Sequence, residues 1–361
     1  MKFTTFPENT NVMSKKGIVK FGIDPTGPEL HLGHLLPLRI VRQLKDNGCD
    51  ITILLGTFTA QIGDATGRDT TRPILSHQDA ILNASNIIQQ VERVLGKDTK
   101  FVFNADWFNE IKLPELMDII SKFSVQKLLN RDNFSNRMAN HTPIAMHELM
   151  GPILQGIDSF KLKADIEVGG NDQLFNFVIT REVQEMLGQK PEVCILAPII
   201  NGLDGRKMSK SFNNCIFLND TPEDIFGKVM SISDSTMREW LPIFFNDIDM
   251  EKHPMQQKKE LALQITTEIW NSELALKGSE HFDNVITNRQ IPENLQEVPL
   301  GQIVDVLQGL ISGSKSAVRR LFESNAIAVN GEKVGINGAQ LFVLKSGDII
   351  KFGKRSFAKV I

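Results

Sequence analysis

The apolar positions of the first half switch repeatedly between a strand-like and a helix-like period. Lys16–Asp24 (KGIVKFGID) is a short, partly β-branched run that stops at Pro25. Pro28–Gly48 follows with Leu32, Leu35, Leu36, Leu38, Ile40, Val41 and Leu44 at helical spacing. Cys49–Phe58, Lys163–Val168 and Glu192–Ile200 predict further buried strands, and Gln173–Leu187 a helix. Strands alternating with helices predict βαβ units and an α/β fold on a Rossmann-like parallel sheet. A nucleotide site would then lie at the carboxyl ends of the strands.

The pattern changes after residue 221. Long helical periods dominate from Pro222 to Leu295, as in Gln256–Glu280, and predict a helical domain over 222–295. Ile291–Pro299, with two prolines, reads as a linker. In the last stretch Asn330-Gly331, between Ala326–Val329 and Glu332–Val334, predicts a hairpin. The expected organisation is a Rossmann-like catalytic domain over 1–221, the helical domain, and a small basic α+β module over 300–361.

Charge sharpens this division. The 361 residues carry a net charge of -3. Residues 301–361 hold nine Lys/Arg against four Asp/Glu, a balance of +5, which leaves -8 on residues 1–300. A small basic module on an acidic body suits a polyanion such as RNA. Cys49, Cys194 and Cys215 show no C-x-x-C spacing, which argues against a disulfide framework or a cysteine zinc site and fits a reducing compartment. No apolar run reaches the roughly 18 residues of a membrane span, and the first residues lack an apolar signal core, so a cytoplasmic protein with no membrane partner is expected.

Three constellations carry candidate chemistry. Gly22-Ile23-Asp24-Pro25-Thr26 and His31-Leu32-Gly33-His34 lie between a strand and a helix, where free backbone N–H groups and a helix dipole favour phosphate. Gly33 suits a close approach that excludes a Cβ. Gly205-Arg206-Lys207-Met208-Ser209-Lys210-Ser211 follows an apolar strand and offers two ammonium groups on a glycine-flanked loop. Gly169-Gly170-Asn171-Asp172-Gln173 follows a strand and opens a helix. Upstream, Gly151, Gln155 and Asp158 are spaced i, i+4, i+7 and share one helical face, with Pro152 suiting that helix's first turn. A buried Asp158 could accept a hydrogen bond from a substrate hydroxyl and reject an analogue lacking it.

H-x-G-H paired with K-M-S-K-S resembles the signature of the class I aminoacyl-tRNA synthetases. With the third constellation, HFDNVITNRQIPENL and the basic tail, the resemblance narrows to the bacterial tyrosyl branch and covers nearly the whole chain. The tail resembles an RNA-binding module shared with a ribosomal small-subunit protein; the tryptophanyl branch usually lacks one. The resemblance implies a tyrosine--tRNA ligase that uses ATP as substrate, with Mg²⁺ accompanying it, tRNA(Tyr) as partner, and a homodimer with contacts around Leu113–Leu129. It implies that Asp24 lies beside the adenylate, that Thr26, His31 and His34 contact the ATP phosphates, and that Gly33 packs under the adenosine. Lys207 and Lys210 would stabilise departing pyrophosphate. Asp64, with Thr59 nearby, would pair with the substrate ammonium, Asp172 and Gln173 would serve the ribose and the substrate carboxylate, Gln155 would face the head group, and Asp158 would read the phenolic hydroxyl. Lys315, Arg319, Arg320, Lys351, Lys354 and Arg355 are the candidate RNA contacts. No dedicated metal-ligand cluster is visible.

The chain has no tyrosine, beside 22 phenylalanines, and two departures from the family follow. Gly151 stands where the family normally has tyrosine and Ile157 where it often has another, while Lys20 stands where one branch has tyrosine and another lysine. One account is selection against needing tyrosine to make the enzyme that charges it. Another is an altered pocket, in a synthetase specialised for a tyrosine analogue or resistant to an inhibitor. A non-catalytic RNA-binding paralogue is the third alternative.

Overall fold

The runs read as strands do pair into one sheet. The computed structural model describes residues 3–62, 75–246, 249, 251–287, 295–311, 315–335, 342–353 and 356–361. The chain divides into two units, Met1–Ala275 and Leu276–Ile361. In the first, β1 (Thr4–Phe6), β2 (Ile18–Ile23), β3 (Asp50–Leu55), β4 (Lys100–Phe103), β5 (Ile166–Gly170) and β6 (Val193–Ala197) form a six-stranded sheet in the order β1-β6-β5-β2-β3-β4. All neighbours are parallel except β1, which pairs antiparallel with β6. β2 is central. The chain leaves it towards β3 and β4 on one side and returns through β5 and β6 on the other. The crevice between the ends of β2 and β5 is therefore the topological switch point.

Helices fill the crossovers. They are α1 (Leu32–Asp46), the short α2 (Thr59–Ile62), α3 (His77–Leu95), the short α4 (Ala105–Phe108), α5 (Leu113–Ile120), α6 (Val125–Leu129), α7 (Asp132–Ala139), α8 (Met146–Leu162) and α9 (Leu174–Met186). α1 buries the predicted stripe, with Leu32, Leu35, Leu36, Leu38, Ile40, Val41 and Leu44 at 0 % exposure. Pro152 lies inside α8 and not in its first turn. The helix begins six residues earlier because Glu148 reaches back to the Ala145 N–H at 2.9 Å and is itself held by buried Arg137.

The helical stretch from residue 222 begins with α10 (Pro222–Met230), α11 (Asp234–Phe244) and α12 (Pro254–Ile269), followed by α13 (Ser272–Phe282). The run read as one helix over Gln256–Glu280 is thus two. The break falls at Trp270, whose indole N–H donates to the Asp220 carbonyl at 3.1 Å and whose ring lies under the Arg93 guanidinium. Asn271 then accepts from the Leu274 N–H at 2.8 Å, starting the next helix.

The second unit is α+β. β7 (Gln296–Val298), β8 (Ile327–Val329), β9 (Glu332–Lys333), β10 (Ile349–Phe352) and β11 (Ser356–Val360) form a sheet ordered β7-β11-β10-β8-β9, with α14 (Ile303–Leu310) and α15 (Lys315–Glu323) contributing to its core. A third of the expected linker is strand: Gln296–Val298 pairs with β11, because buried Val298 completes that core. The hairpin forms as predicted, with Asn330 and Gly331 both at positive φ (51° and 88°) between β8 and β9.

Candidate active site

Each candidate side chain of the first unit sits at a strand's carboxyl end or on a helix bordering it. After β2, Thr26 N–H bonds the Asp24 carbonyl at 2.7 Å, a tight turn that leads to α1. His31 caps α1: its Nδ1 accepts from the Gly33 N–H at 3.1 Å, while His34 Nδ1 accepts from the His31 N–H at 3.2 Å. A Cβ on Gly33 would stand 2.9 Å from the His31 ring, so glycine is what lets that imidazole fold over the first turn. Burial, then His34, Lys210 and Lys207, lower the His31 pKa to about 2; burial and Lys210 lower that of His34 to about 4. Both rings are therefore neutral at pH 7. With each Nδ1 accepting, each Nε2 carries the hydrogen. The pair offers two neutral donors, and the cationic charge must come from elsewhere.

The loop after β6 supplies it. Asn214, only 2 % exposed, braces this loop: its Nδ2 donates to Asp204 at 2.7 Å and to the Lys207 carbonyl at 3.2 Å, and its Oδ1 accepts from the Ser209 N–H at 2.9 Å. Met208 is buried at 4 %. Lys207 pairs with Asp172 at 2.9 Å, and a Cβ on Gly27 would lie 3.1 Å from Lys210 Nζ. The lysine loop thus reaches both the turn after β5 and the turn after β2.

The other end of the crevice is built from β3, β4 and α8. Asp158, 3 % exposed, accepts from the Trp107 indole N–H at 2.9 Å and from Asn104 Nδ2 at 3.3 Å. Asn104 also donates to Thr59 Oγ1 at 2.9 Å, and Thr59 donates to Asp24 at 2.6 Å. Burial pushes the Asp158 carboxyl up to about 7 against the pull of Lys20, Asn104 and Trp107. Beneath Gln155, Lys20 and Glu167 are register partners on β2 and β5 and form an ion pair at 2.8 Å, at 0 and 2 % exposure. Burial alone would lower the Lys20 pKa; Glu167, Glu192 and Asp158 outweigh it and raise it.

One cleft of about 400 Å³ brings together Asp24, Thr26, His31, Gly33, His34, Thr59, Gly151, Gln155, Asp158, Asp172, Gln173 and Lys207. The model for class I tRNA synthetases (W and Y) matches residues 13–281. The chain is 39 % identical to a tyrosine--tRNA ligase of Dehalococcoides mccartyi, over 95 % of this chain and 91 % of that one. The chain belongs to the class I tRNA synthetases. A tyrosine--tRNA ligase of Chlorobaculum tepidum is 37 % identical over 95 % of this chain and 88 % of its own. The fold of this synthetase also matches a truncated mitochondrial tyrosyl-tRNA synthetase of Aspergillus nidulans, with a TM-score of 0.64 at 19 % identity over 75 % and 86 % of the two chains.

Asp64 lies outside the described residues of the synthetase, as do Lys354, Arg355 and the side chain of Lys315. Arg319, Arg320 and Lys351 are exposed in the second unit, where Arg319 pairs with Glu323 at 2.9 Å. Sequence reasoning missed Asn104 and Trp107, Glu167 and Asn176, and Asn214. A signal existed for the first pair, a polar Asn104 closing the apolar run Phe101–Phe103, and for Glu167, a carboxylate inside a buried strand.

Proposed function

We propose that this synthetase joins tyrosine to ATP, giving tyrosyl-adenylate and pyrophosphate, and then passes the tyrosyl group to the 3′-terminal ribose of tRNA(Tyr). The observation that carries the choice of amino acid is Asp158, a buried carboxylate whose two held oxygens can still accept a phenolic O–H. The names of the full-length relatives support the same choice.

In the first step a carboxylate oxygen of tyrosine attacks the α-phosphorus, the bond to the bridging oxygen of the β-phosphate breaks, and pyrophosphate leaves with the electron pair. No covalent enzyme intermediate forms. The protein positions the reactants and stabilises the charge that develops. Thr26 and the Nε2–H groups of His31 and His34 donate to phosphate oxygens, and Lys207 and Lys210 neutralise them. Gly33 lets adenosine lie against α1, Asp24 lies beside the adenylate, and Asp172 takes the ribose. Gln155, Gln173 and Asp64 hold the amino-acid head group, with Thr59 beside them and Gly151 on the same helical face. Mg²⁺ accompanying ATP would add to the neutralisation of the phosphates by Lys207 and Lys210.

The second unit binds tRNA through Arg319, Arg320, Lys351 and the neighbouring Lys315, Lys354 and Arg355, with residues 222–295 as the helical domain before it. A second copy of the chain pairs through α5 and α6, where Leu113, Met117 and Val125 are exposed at 69, 53 and 50 %. The cytoplasm is the compartment that fits: the three cysteines are free and buried, and among the described residues no helix is long and apolar enough to cross a membrane. ATP–pyrophosphate exchange that depends on tyrosine tests the proposal.

A further inference from the structure

A pocket for an amino acid must show acceptors to the ammonium and donors to the carboxylate. Gln155 and Gln173 could each present either, since the two ends of an amide differ in polarity and hardly in shape. In this chain the choice is made underneath them. Lys20 can only donate, and its ammonium is shared between Glu167 Oε1 at 2.8 Å, Ser159 Oγ at 2.6 Å and the Gln155 carbonyl at 3.1 Å. Glu167 is held as an acceptor, so the side-chain amide of Gln155 must turn its Nε2 towards it, at 2.9 Å. That leaves Gln155 Oε1 on the side of Asn176. Asn176 Nδ2 has two hydrogens and uses both: one on Gln155 Oε1 at 3.1 Å, the other on Gln173 Oε1 at 2.8 Å. With its oxygen so engaged, Gln173 turns its Nε2 to the opposite side, on a residue that lines the cleft.

We infer that Asn176 is a positioning residue for amino-acid selection: it transmits the donor–acceptor polarity fixed by Lys20 and Glu167, so that Gln155 meets the substrate with an acceptor and Gln173 with a donor. Asn176 is 3 % exposed, and its own Oδ1 has no hydrogen-bond partner among the described residues. A buried carbonyl left in that state is a cost that native proteins seldom carry. Here both hydrogens of the same amide are committed to the two glutamines. This rests on the cleft being the tyrosine site.

Two variants and two ligands test it by calorimetry on the full chain. Tyrosine carries both head groups; tyramine keeps the ammonium and lacks the carboxylate. Asn176→Asp has no hydrogen to give; Gln155 keeps its orientation through Glu167, but the Gln173 oxygen must turn away, so Gln173 faces the carboxylate with the wrong end. Gln173→Glu, on a half-buried turn, removes the same donor directly. Both variants should weaken tyrosine by about 10-fold or more, as for loss of a hydrogen bond to a charged group, and change tyramine by less than about 3-fold. Equal losses for the two ligands, or no loss for tyrosine, would overturn the inference. The wild-type titration comes first. If it shows no tyrosine binding, the tyrosine site itself is refuted and the positioning role falls with it; if the wild type binds tyrosine and the variants show no tyrosine-selective loss, the positioning role alone is refuted.

Discussion

Lys207, on the loop after β6, holds the Asp172 carboxylate in the turn after β5 at 2.9 Å. One is a candidate for phosphate, the other for ribose, so a nucleotide competes for both ends of the pair. The two side chains are 47 and 31 % exposed, and a pair in that setting contributes about 0–1 kcal/mol. It can hold the loop over the crevice without resisting the nucleotide.

Lys207→Ala should therefore separate stability from activity. Tyrosyl-adenylate formation, followed by single-turnover kinetics, should slow by about 10²-fold or more, the usual effect of losing one group that stabilises developing charge. The melting temperature should move by no more than about 2 °C.

The histidine pair ties stability to acid. In the unfolded chain each imidazole titrates near 6.5, whereas in the fold the values are about 2 for His31 and about 4 for His34. Between pH 6.5 and 4 the unfolded chain binds protons that the folded one refuses, so stability falls as pH drops through this window. Urea denaturation at a series of pH values should show that loss. His31→Asn/His34→Asn should reduce it, asparagine being a good cap at position 31.

Much of this was legible in the sequence because burial and period coincide there. α1 and the strands β2, β3, β5 and β6 are runs whose apolar spacing matches their packing. What escaped was set by single side chains reaching across the fold. Trp270 ends a helix because its indole finds Asp220 and Arg93. Gln296–Val298 looked like linker because three residues beside prolines show no alternation. Asp158 was identified from its helical face, but Trp107 and Asn104 meet it only because β4 lies at the sheet edge beyond β3. Lys20 and Glu167 were charged residues within apolar strands, and only the register of β2 against β5 makes them partners.

Trp107→Phe keeps an aromatic ring and removes the N–H that holds Asp158 Oδ1. The KM for tyrosine in pyrophosphate exchange should rise by about 10-fold, in line with a hydrogen bond to a charged group. Phenylalanine, which offers Asp158 nothing, should change much less, so discrimination between the two should shrink.

Asp158 also gives tyrosine binding a pH dependence. Its carboxyl titrates near 7 in the free protein, and the ionised form is the better acceptor for a phenolic O–H. Affinity should rise with pH from 6 to 8 and then level. Asp158→Asn should flatten the profile.

Arg320→Glu with Lys351→Glu places like charge against RNA on two exposed positions of the second unit. Aminoacylation should show a raised KM for tRNA and a shallower salt dependence, by about one unit of slope for each phosphate no longer neutralised. Adenylate formation should be unchanged.

The central claim is that a neutral imidazole pair and two lysines handle the phosphates while Asp158 chooses the amino acid. ATP–pyrophosphate exchange with tyrosine and phenylalanine side by side tests it most directly. Tyrosine should support exchange, and phenylalanine should be poorer by on the order of 10⁴–10⁵-fold, the discrimination for which this very pair of amino acids is the known example. Exchange that is equal with both, or absent with both, would contradict the account.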